Sequence, residues 1–347
     1  MQKIVKLCKL WGVFLPSLIF IFLSGRWLGF AVGAMNPVAA AQFYQSTALQ
    51  GEKLVSAANP FEDFVFENKN TQSVQAPAER YNPAYNVAEE FMQSTVSDIV
   101  IKKDACYVKN MTHHTTDWLQ QRMLAEMPFK VEKNSSQPQI LIYHTHATEG
   151  YMPTADMAYD AAYSWRTTDT SNNMVAVGKV MADTLNSLGY NTIQDTTLHD
   201  YPSYNGSYDL SRQTVSAYLK KYPSIKIVLD VHRDAIERNG TIINPVTTIN
   251  GKKCAQVMII SGCDSGYMNM PHYPENLKFA TNLQNRLAKS APGLMRPVLF
   301  DYRHYNQDLS TGSLLIEVGG HGSTIQQAKN SAVIFATTLA DMLNKHK

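Results

Sequence analysis

Motifs that mark several common enzyme classes are absent from this chain of 347 residues. It has no Gly-x-Ser-x-Gly motif, no phosphate-binding loop and no dinucleotide-binding glycine pattern, which argues against serine hydrolases of that type, NTPases and dehydrogenases. The zinc-binding motif His-Glu-x-x-His, which places two ligands on one helix, is also missing. Charged residues make up only 17%, the net charge is +2, and no basic stripe with interleaved aromatics occurs. Nucleic-acid binding is therefore not expected.

Cysteine is scarce, with residues at positions 8, 106, 254 and 263. Cys254 and Cys263 bracket an apolar run that is typical of one strand, and at ~3.3 Å per residue such a strand separates its ends by about 30 Å. A disulfide requires Cα atoms within ~7 Å, so no bridge between them is expected unless the strand is broken. Their spacing does not fit a paired-cysteine zinc site either.

A basic flank followed by apolar residues opens the chain. Lysines precede the apolar residues 10–23, Arg26 interrupts the run, and a second apolar stretch ends at residue 35, with no acidic residue before Glu52. The export machinery reads such a pattern. The whole segment is long enough to cross a bilayer of ~30 Å as an uncleaved anchor if Arg26 reaches an interface. Residues 38–41 (VAAA) could serve as a cleavage site for signal peptidase, so a cleaved signal is the alternative.

Polar residues without a sustained period of 3.6 or 2 follow this segment, which indicates a spacer. The sequence therefore predicts a membrane or signal segment at 1–35, an extracytoplasmic stalk at 36–100 and a catalytic domain at 101–347. The predicted location is the cell membrane, with a single pass and the catalytic domain outside the cytoplasm. A cleaved, secreted form is the alternative.

Short apolar runs alternate with helical patterns from residue 140 onward. This alternation predicts an α/β fold in which a single twisted, mostly parallel sheet is flanked by helices. The predicted strands cover 140–143, 227–229, 255–261 and 314–316. The predicted helices cover 116–126, 174–188, 277–287 and 325–342, and Gly189 is placed to end the second of them.

Three of these runs lead into side chains that can bind a metal or move a proton. The first precedes residues 144–149 (HTHATE), the second precedes residues 230–234 (DVHRD), and the last contains Glu317. Ligand groups collect at the carboxyl ends of strands in α/β sheets. Two histidines and a carboxylate form a common catalytic zinc set, and a second carboxylate can act as base. Each residue alone is more often structural, but a glutamate within an apolar run needs an ion, a base or a proton.

Four stretches resemble, in combination, the stage II sporulation protein P family. They are residues 140–151 (ILIYHTHATEGY), 230–235 (DVHRDA), 305–310 (YNQDLS) and 315–319 (LIEVG). The resemblance implies an amidase-like fold and a zinc-dependent N-acetylmuramoyl-L-alanine amidase that also cleaves peptide cross-links of peptidoglycan. It also implies a role in engulfment of the forespore during sporulation, beside a lytic transglycosylase partner, the stage II sporulation protein D, and membrane partners of the engulfment machinery.

By this resemblance, three residues are expected to bind Zn²⁺, namely His146, Glu149 and His232. Glu317 is the expected catalytic carboxylate. His144 is either an alternative ligand or a group that orients a ligand. Four further residues are expected to contact substrate or support the ligands, namely Arg233, Asp234, Asn306 and Gln307. Two other histidines, His199 and His272, are weaker candidates that are expected to be structural.

Two other functions stay open at this point. One is a metallo-endopeptidase without amidase activity, and nothing in the sequence excludes it. The other is a peptidoglycan-binding module that keeps the fold without catalysis. An acidic residue inside the apolar run around Glu317 argues against a pure binder, because binding alone does not require it.

Overall fold

The computed structural model describes residues 83–152, 158–160 and 165–345. The predicted membrane segment at 1–35 and the first part of the predicted stalk lie outside these residues. Among the described residues, no helix combines the length and hydropathy that a bilayer span requires.

The secondary-structure elements alternate along the chain. In order they are β1 (Pro83–Glu90), β2 (Val100–Lys103), β3 (Cys106–Asn110), α1 (Thr116–Arg122), β4 (Ile140–Tyr143), β5 (Ala158–Asp160), α2 (Met174–Ser187), β6 (Thr192–Gln194), α3 (Ser207–Lys221), β7 (Ile227–Asp234), β8 (Glu237–Arg238), β9 (Thr241–Ile249), β10 (Lys252–Ala255), β11 (Val257–Gly262), α4 (Tyr273–Ser290), β12 (Val298–Asp301), a 3₁₀ turn (Gln307–Leu309), β13 (Ser313–Gly320) and α5 (Ile325–Lys345).

An eight-stranded sheet forms the centre of the fold, with the strand order β2-β3-β12-β11-β13-β7-β4-β6. Strands β2 and β3 pair antiparallel, as do β11 and β13. The other neighbours in this main sheet pair in parallel. The predicted α/β class is therefore confirmed, and the main sheet is mixed.

A second sheet corrects the prediction of a single one. It has the order β10-β9-β1-β5, and β8 pairs with β9. The predicted strand at 255–261 is broken at Gln256, which separates β10 in the smaller sheet from β11 in the main sheet. The Gln256 side chain accepts a hydrogen bond from Met92 N at 2.6 Å and donates one to Gly293 O at 2.9 Å. The Gln256 side chain thus bonds to backbone groups of two distant segments at a break that periodicity alone does not reveal. Cys254 and Cys263 are free thiols.

The first described strand moves the predicted boundary of the stalk. Strand β1 pairs in parallel with β9, from Asn86 opposite Thr241 to Glu90 opposite Pro245. Val87 is buried in a small core with Ile242. The packed structure therefore includes residues 83–100, which the sequence pattern had assigned to the stalk. Backbone hydrogen bonds to β9 hold this strand in place. Its polar side chains give no strand pattern in the sequence.

Helices cover both faces of the main sheet. The side chains of Ile140 and Ile142 belong to the large core that also contains buried residues of α2, α4 and α5. The alternate residues Leu141 and Tyr143 pack on the opposite face against Val215 of α3. This alternation follows from the two-residue repeat of a strand. It directs successive residues of β4 to different helix layers.

Gly178 in α2 gives room to the imidazole of His144, and replacing it should test that contact. A Cβ atom there would lie 2.5 Å from both Cε1 and Nε2 of His144 and 2.6 Å from Gln194 Nε2. Alanine normally stabilises a helix interior by about 1 kcal/mol relative to glycine, whereas overpacking costs about 1–3 kcal/mol. We expect Gly178→Ala to lower the free energy of unfolding in a urea titration. In a His144→Ala background the loss should be smaller, because only the close approach to the Gln194 amide remains, and a more stable Gly178→Ala single variant would contradict the close approach to His144.

Candidate functional site

Three neighbouring strands bring the candidate site together. Strand β7 lies between β4 and β13 and pairs in parallel with both, so their carboxyl ends meet at one edge. His232 of β7 lies opposite Glu317 of β13. Both strands continue beyond their apolar runs, and these two residues therefore lie within strands rather than after them. Residues 144–149 follow directly after β4.

His232 is buried between two carboxylates. Its Nδ1 atom lies 3.5 Å from Glu149 Oε2, and its Nε2 atom lies 2.8 Å from Asp230 Oδ1. The second contact lacks hydrogen-bond geometry, so the buried Nε2 atom has no hydrogen-bond partner. Burial opposes a charge on His232, but Asp230 and then Glu149 raise the pKa of its imidazole well above the usual range. The site therefore favours a positive charge at His232.

Glu149 is buried and ionised. Its Oε2 atom accepts a hydrogen bond from Arg233 N at 3.1 Å, and Oε1 lies 3.6 Å from Arg166 Nη2. Burial alone would raise the pKa of this carboxyl, but the hydrogen bond and charge of His232, together with Arg233, lower it to about 2. Glu149 thus keeps its negative charge at any physiological pH.

His146 faces His232 across the site. The two rings meet edge to face with centroids 5.3 Å apart, and His146 stacks on Tyr204 at 4.5 Å. Ser207 Oγ lies 3.3 Å from His146 Nδ1. Burial, followed by the charge of His232, lowers the pKa of His146 to about 4. The imidazole is therefore neutral at pH 7, which is the form that binds metals.

His144 is turned away from this group of residues. Its Nδ1 donates to Val231 O at 2.8 Å, and its Nε2 accepts from Gln194 Nε2 at 3.1 Å. The ring is fully buried. Both nitrogens are therefore used within the protein, and His144 has no lone pair left for a metal in this arrangement.

Glu317 is the other acidic group at the site. The residue is partly exposed, but its Oε2 atom is buried without a hydrogen-bond partner. Burial raises the pKa of the Glu317 carboxyl to about 8, although the charge of His232 acts in the opposite direction. Two carboxyl groups of one site thus differ strongly in pKa, which is a frequent property of catalytic centres.

Arg233 and Asp234 bind neighbouring protein groups and so stabilise the segments that carry the site. Arg233 donates from Nε to Gly150 O at 2.7 Å and from Nη2 to Trp165 O at 2.6 Å, which fixes the segment after Glu149. Asp234 accepts from Arg296 Nη1 at 2.8 Å. Both side chains bind protein groups.

Asn306 and Gln307 likewise connect elements of the fold. Asn306 Nδ2 donates to Tyr208 O at 3.0 Å, and Gln307 bonds to Gly262 N and Ile260 O through its two amide atoms. His199 is structural, as expected, because its ring nitrogens contact His144 O and Thr214 Oγ1 at 2.8 and 2.9 Å.

The structure adds Asp230 to the site, a residue without an assigned role in the sequence prediction. Its carboxylate accepts from Thr145 N at 2.8 Å and from Thr145 Oγ1 at 2.6 Å. Asp230 is buried within β7. An acidic residue inside an apolar run is the same signal that identified Glu317, and it could have found this residue as well.

Residues of two polar loops and of the first turn of α3 complete the surroundings of the site. Arg166 Nη1 donates to Asp200 Oδ2 at 2.6 Å, and its guanidinium lies 4.7 Å from the ring centroid of Tyr204. Tyr208, in the first turn of α3, meets His146 edge to face at 5.4 Å. Burial and the charge of Asp230 raise the pKa of the Tyr208 hydroxyl. The loops that carry Arg166 and Tyr204 have no periodic pattern, and α3 has no apolar stripe, so no local signal would have placed these residues at the site.

The predicted ligands are not arranged as in a metal site, but their donor atoms are of the types that bind zinc. Within the described part of the chain, no group of three or more His, Cys, Asp or Glu side chains has the arrangement of a metal site. However, the His232 ring lies between two carboxylates, with Nδ1 toward Glu149 and the buried Nε2, which has no hydrogen-bond partner, toward Asp230. A divalent cation can replace the proton that these carboxylates favour, and neutral His146 with ionised Glu149 completes a typical zinc donor set.

Comparisons with known proteins extend this description. The sequence profile of the family described as "Stage II sporulation protein P" matches residues 42–340. Stage II sporulation protein P of Bacillus subtilis (strain 168) is 29% identical over 214 residues, or 58% of this chain and 50% of that protein. The chain thus spans about half the length of that relative.

Two solved structures of cell-wall amidases are similar at low sequence identity. The CwlD amidase from Clostridioides difficile, in complex with the GerS lipoprotein, has a TM-score of 0.38 and 11% identity, covering 60% of this chain and 99% of that one. N-acetylmuramoyl-L-alanine amidase AmiC2 of Nostoc punctiforme has a TM-score of 0.35 and 14% identity, covering 61% and 97%.

Proposed function

Because this chain belongs to the stage II sporulation protein P family, we propose that it is a zinc-dependent hydrolase of peptidoglycan that acts in sporulation. Its main reaction is hydrolysis of the amide between the muramoyl lactyl group and L-alanine, and cleavage of peptide cross-links is a second activity. One observation carries this proposal. His232 lies opposite Glu317 on the neighbouring strand, its Nδ1 is 3.5 Å from Glu149 Oε2, and its ring centroid is 5.3 Å from that of His146, so the three candidate ligands and the candidate base meet at one edge of the sheet.

His146, Glu149 and His232 would hold the zinc ion. When bound, Zn²⁺ polarises a carbonyl group and lowers the pKa of a bound water to about 7. The protein's own contribution is to hold these three side chains. Arg233 N fixes Glu149, and Asp230 lies against His232 while Thr145 binds Asp230.

Glu317 moves the proton in this proposal. It accepts a proton from the attacking water as the water oxygen bonds to the carbonyl carbon of the amide. It then gives that proton to the amine nitrogen as the C–N bond breaks, so that a carboxylic acid and a free amine result. A carboxyl whose pKa is about 8 suits both steps near neutral pH, because neither of its protonation states is strongly disfavoured.

The setting of this activity is part of the proposal. The basic and apolar segment at residues 1–35 supports a membrane-attached protein whose hydrolase acts outside the cytoplasm, with a secreted form as the alternative. We further propose that it works beside a lytic transglycosylase, the stage II sporulation protein D. An amidase and a transglycosylase cut different bonds of the same polymer.

Digestion of purified peptidoglycan by the full chain tests the reaction directly. We expect mass spectrometry to detect glycan strands with free lactyl ends and stem peptides that begin with L-alanine. Cleaved cross-links without free lactyl ends would identify a metallo-endopeptidase instead. Binding to the polymer without any cleavage product would identify a binding module and contradict the proposed enzyme. The Glu317→Gln variant is the matched control for contaminating hydrolases.

A further inference from the structure

We propose that Tyr208 is a further catalytic residue, whose phenol O–H donates a hydrogen bond to the carbonyl oxygen of the scissile amide. This role rests on the proposed function, since it concerns the same amide hydrolysis. As water adds to the carbonyl carbon, the C=O electron pair moves onto the oxygen. A donor placed there stabilises the negative charge that develops.

The position of Tyr208 beside the candidate ligands is the first argument. It is the second residue of α3, directly after Ser207, whose Oγ lies 3.3 Å from His146 Nδ1. The Tyr208 ring meets the His146 ring edge to face at 5.4 Å. The charges of Asp230, Glu317 and Glu149 all act on its hydroxyl, which places this group near the acidic centre of the site.

A supporting loop fixes the orientation of this ring. Tyr208 stacks on Tyr305, with centroids 5.3 Å apart and planes inclined by 25°. Tyr305 and Asn306 have φ angles of 44° and 54°, in the left-handed region that residues other than glycine rarely adopt. Asn306 Nδ2 binds Tyr208 O at 3.0 Å, so the strained pair directly contacts Tyr208. Backbone strain of this kind persists only where surrounding contacts enforce it, and it clusters at functional sites.

An ion pair connects the same loop to α3. Arg212 donates from Nη1 and Nη2 to the two carboxylate oxygens of Asp308 at 2.7 and 2.6 Å. A bidentate pair restrains both direction and distance. The ion pair therefore joins the helix that carries Tyr208 to the loop that carries Tyr305. A side chain that donates to a transition state needs such a rigid support.

The inventory of donors at the site is the last argument. Glu149 and Asp230 are acceptors, and Glu317 is engaged in proton transfer. Arg233 uses Nε and Nη2 for Gly150 O and Trp165 O, and Arg166 donates to Asp200 Oδ2 and lies 3.6 Å from Glu149 Oε1. The Tyr208 hydroxyl, in contrast, forms no hydrogen bond with any described residue. It is a phenol at the reaction centre whose donor capacity the protein itself does not use.

Tyr208→Phe in the full chain tests this role, because phenylalanine keeps both ring contacts and removes only the O–H. On soluble muropeptides we expect kcat to fall by about 10²–10³-fold, the loss typical of one oxyanion donor, while KM changes little. Zinc content and melting temperature should equal those of the parent. A phosphinic analogue of the scissile amide, which mimics the tetrahedral state, should bind about 10²-fold more weakly. Tyr222→Phe, the same change at the far end of α3, should match the parent in every measurement.

The outcomes separate this role from the proposed function. If the parent cleaves no amide bond, the proposed function fails and the role of Tyr208 fails with it. If the parent is active and Tyr208→Phe is equally fast, only the role of Tyr208 is overturned. A loss of kcat that is accompanied by an equal loss of zinc would also overturn it, since Tyr208 would then act as packing for His146.

Discussion

Glu317→Gln is expected to reduce turnover of peptidoglycan by at least about 10²–10⁴-fold, the usual contribution of a positioned general base. The amide of glutamine has nearly the same shape as the carboxyl group but cannot accept the water proton. Zinc content should remain close to that of the parent, because Glu317 is not among the proposed ligands. The rate of peptidoglycan hydrolysis and elemental analysis of zinc in the same samples test the two expectations.

The stability of the same variant should depend on pH in a characteristic way. In metal-free protein the pKa of Glu317 is raised to about 8, whereas an unfolded glutamate titrates near 4.5. Between these values the native state retains a proton that the unfolded state releases, so the parent loses stability as the pH rises through this window. Glutamine has no such proton. The stability of Glu317→Gln relative to the parent should therefore increase from pH 5 to pH 8 in urea titrations with EDTA present.

Two controls delimit this prediction. Glu237→Gln, at an exposed carboxylate of β8, should retain activity and show no such change in stability. A Glu317→Gln variant that loses zinc but regains activity in excess zinc would make Glu317 a ligand and Glu149 the better candidate for the base. Turnover equal to that of the parent would contradict the catalytic role of Glu317.

His232→Ala is expected to remove both zinc and hydrolysis. The parent should contain about one zinc per chain through two histidines and a carboxylate, and the variant close to none. The change also leaves Asp230 and Glu149 buried without the cation between them, and breaking a buried ion pair in this way costs about 3–5 kcal/mol. Elemental analysis, product analysis and urea unfolding measure the three effects separately.

Other histidines provide the matched comparisons for zinc. His144→Ala should keep its zinc per folded chain, because both ring nitrogens of His144 bind protein groups. His113→Ala, at an exposed histidine, should resemble the parent throughout. Full zinc in His232→Ala, or no zinc in the parent, would contradict the proposed donor set. Loss of zinc from His144→Ala with normal stability would move the ligand assignment to His144.

The sequence pattern located the elements that carry strong periodicity. Strand β4 coincides with its apolar run, and α2 begins at Met174 and ends before Gly189, whose φ is 87°. The break at Gln256 was not visible, because the residues on both sides are apolar and the turn depends on contacts with distant backbone groups. Helix α3 also escaped prediction, since few of its residues are buried and no apolar stripe marks it.

The same contrast holds for the site. His146, His232 and Glu317 are predicted site residues because each is a polar residue at or just after an apolar run, and the parallel pairing of β4, β7 and β13 brings these runs together. Arg166 comes from a loop without a repeating pattern, and Tyr208 from α3, which no apolar stripe marks. Their positions at the site depend on how these segments pack at the sheet edge, which no local signal encodes.

The order of strands in the main sheet has a consequence for the timing of folding. Strand β13 is the last strand of the chain, yet it lies between β11 and β7 near the middle of the sheet. Contacts between residues so far apart in sequence form slowly, because the loop between them must close first. Glu317 therefore comes to lie beside His232 only when β13 pairs with β7, so the candidate site is incomplete until this long-range pairing has formed. The proposed hydrolase would thus gain its activity together with this pairing at the centre of the sheet.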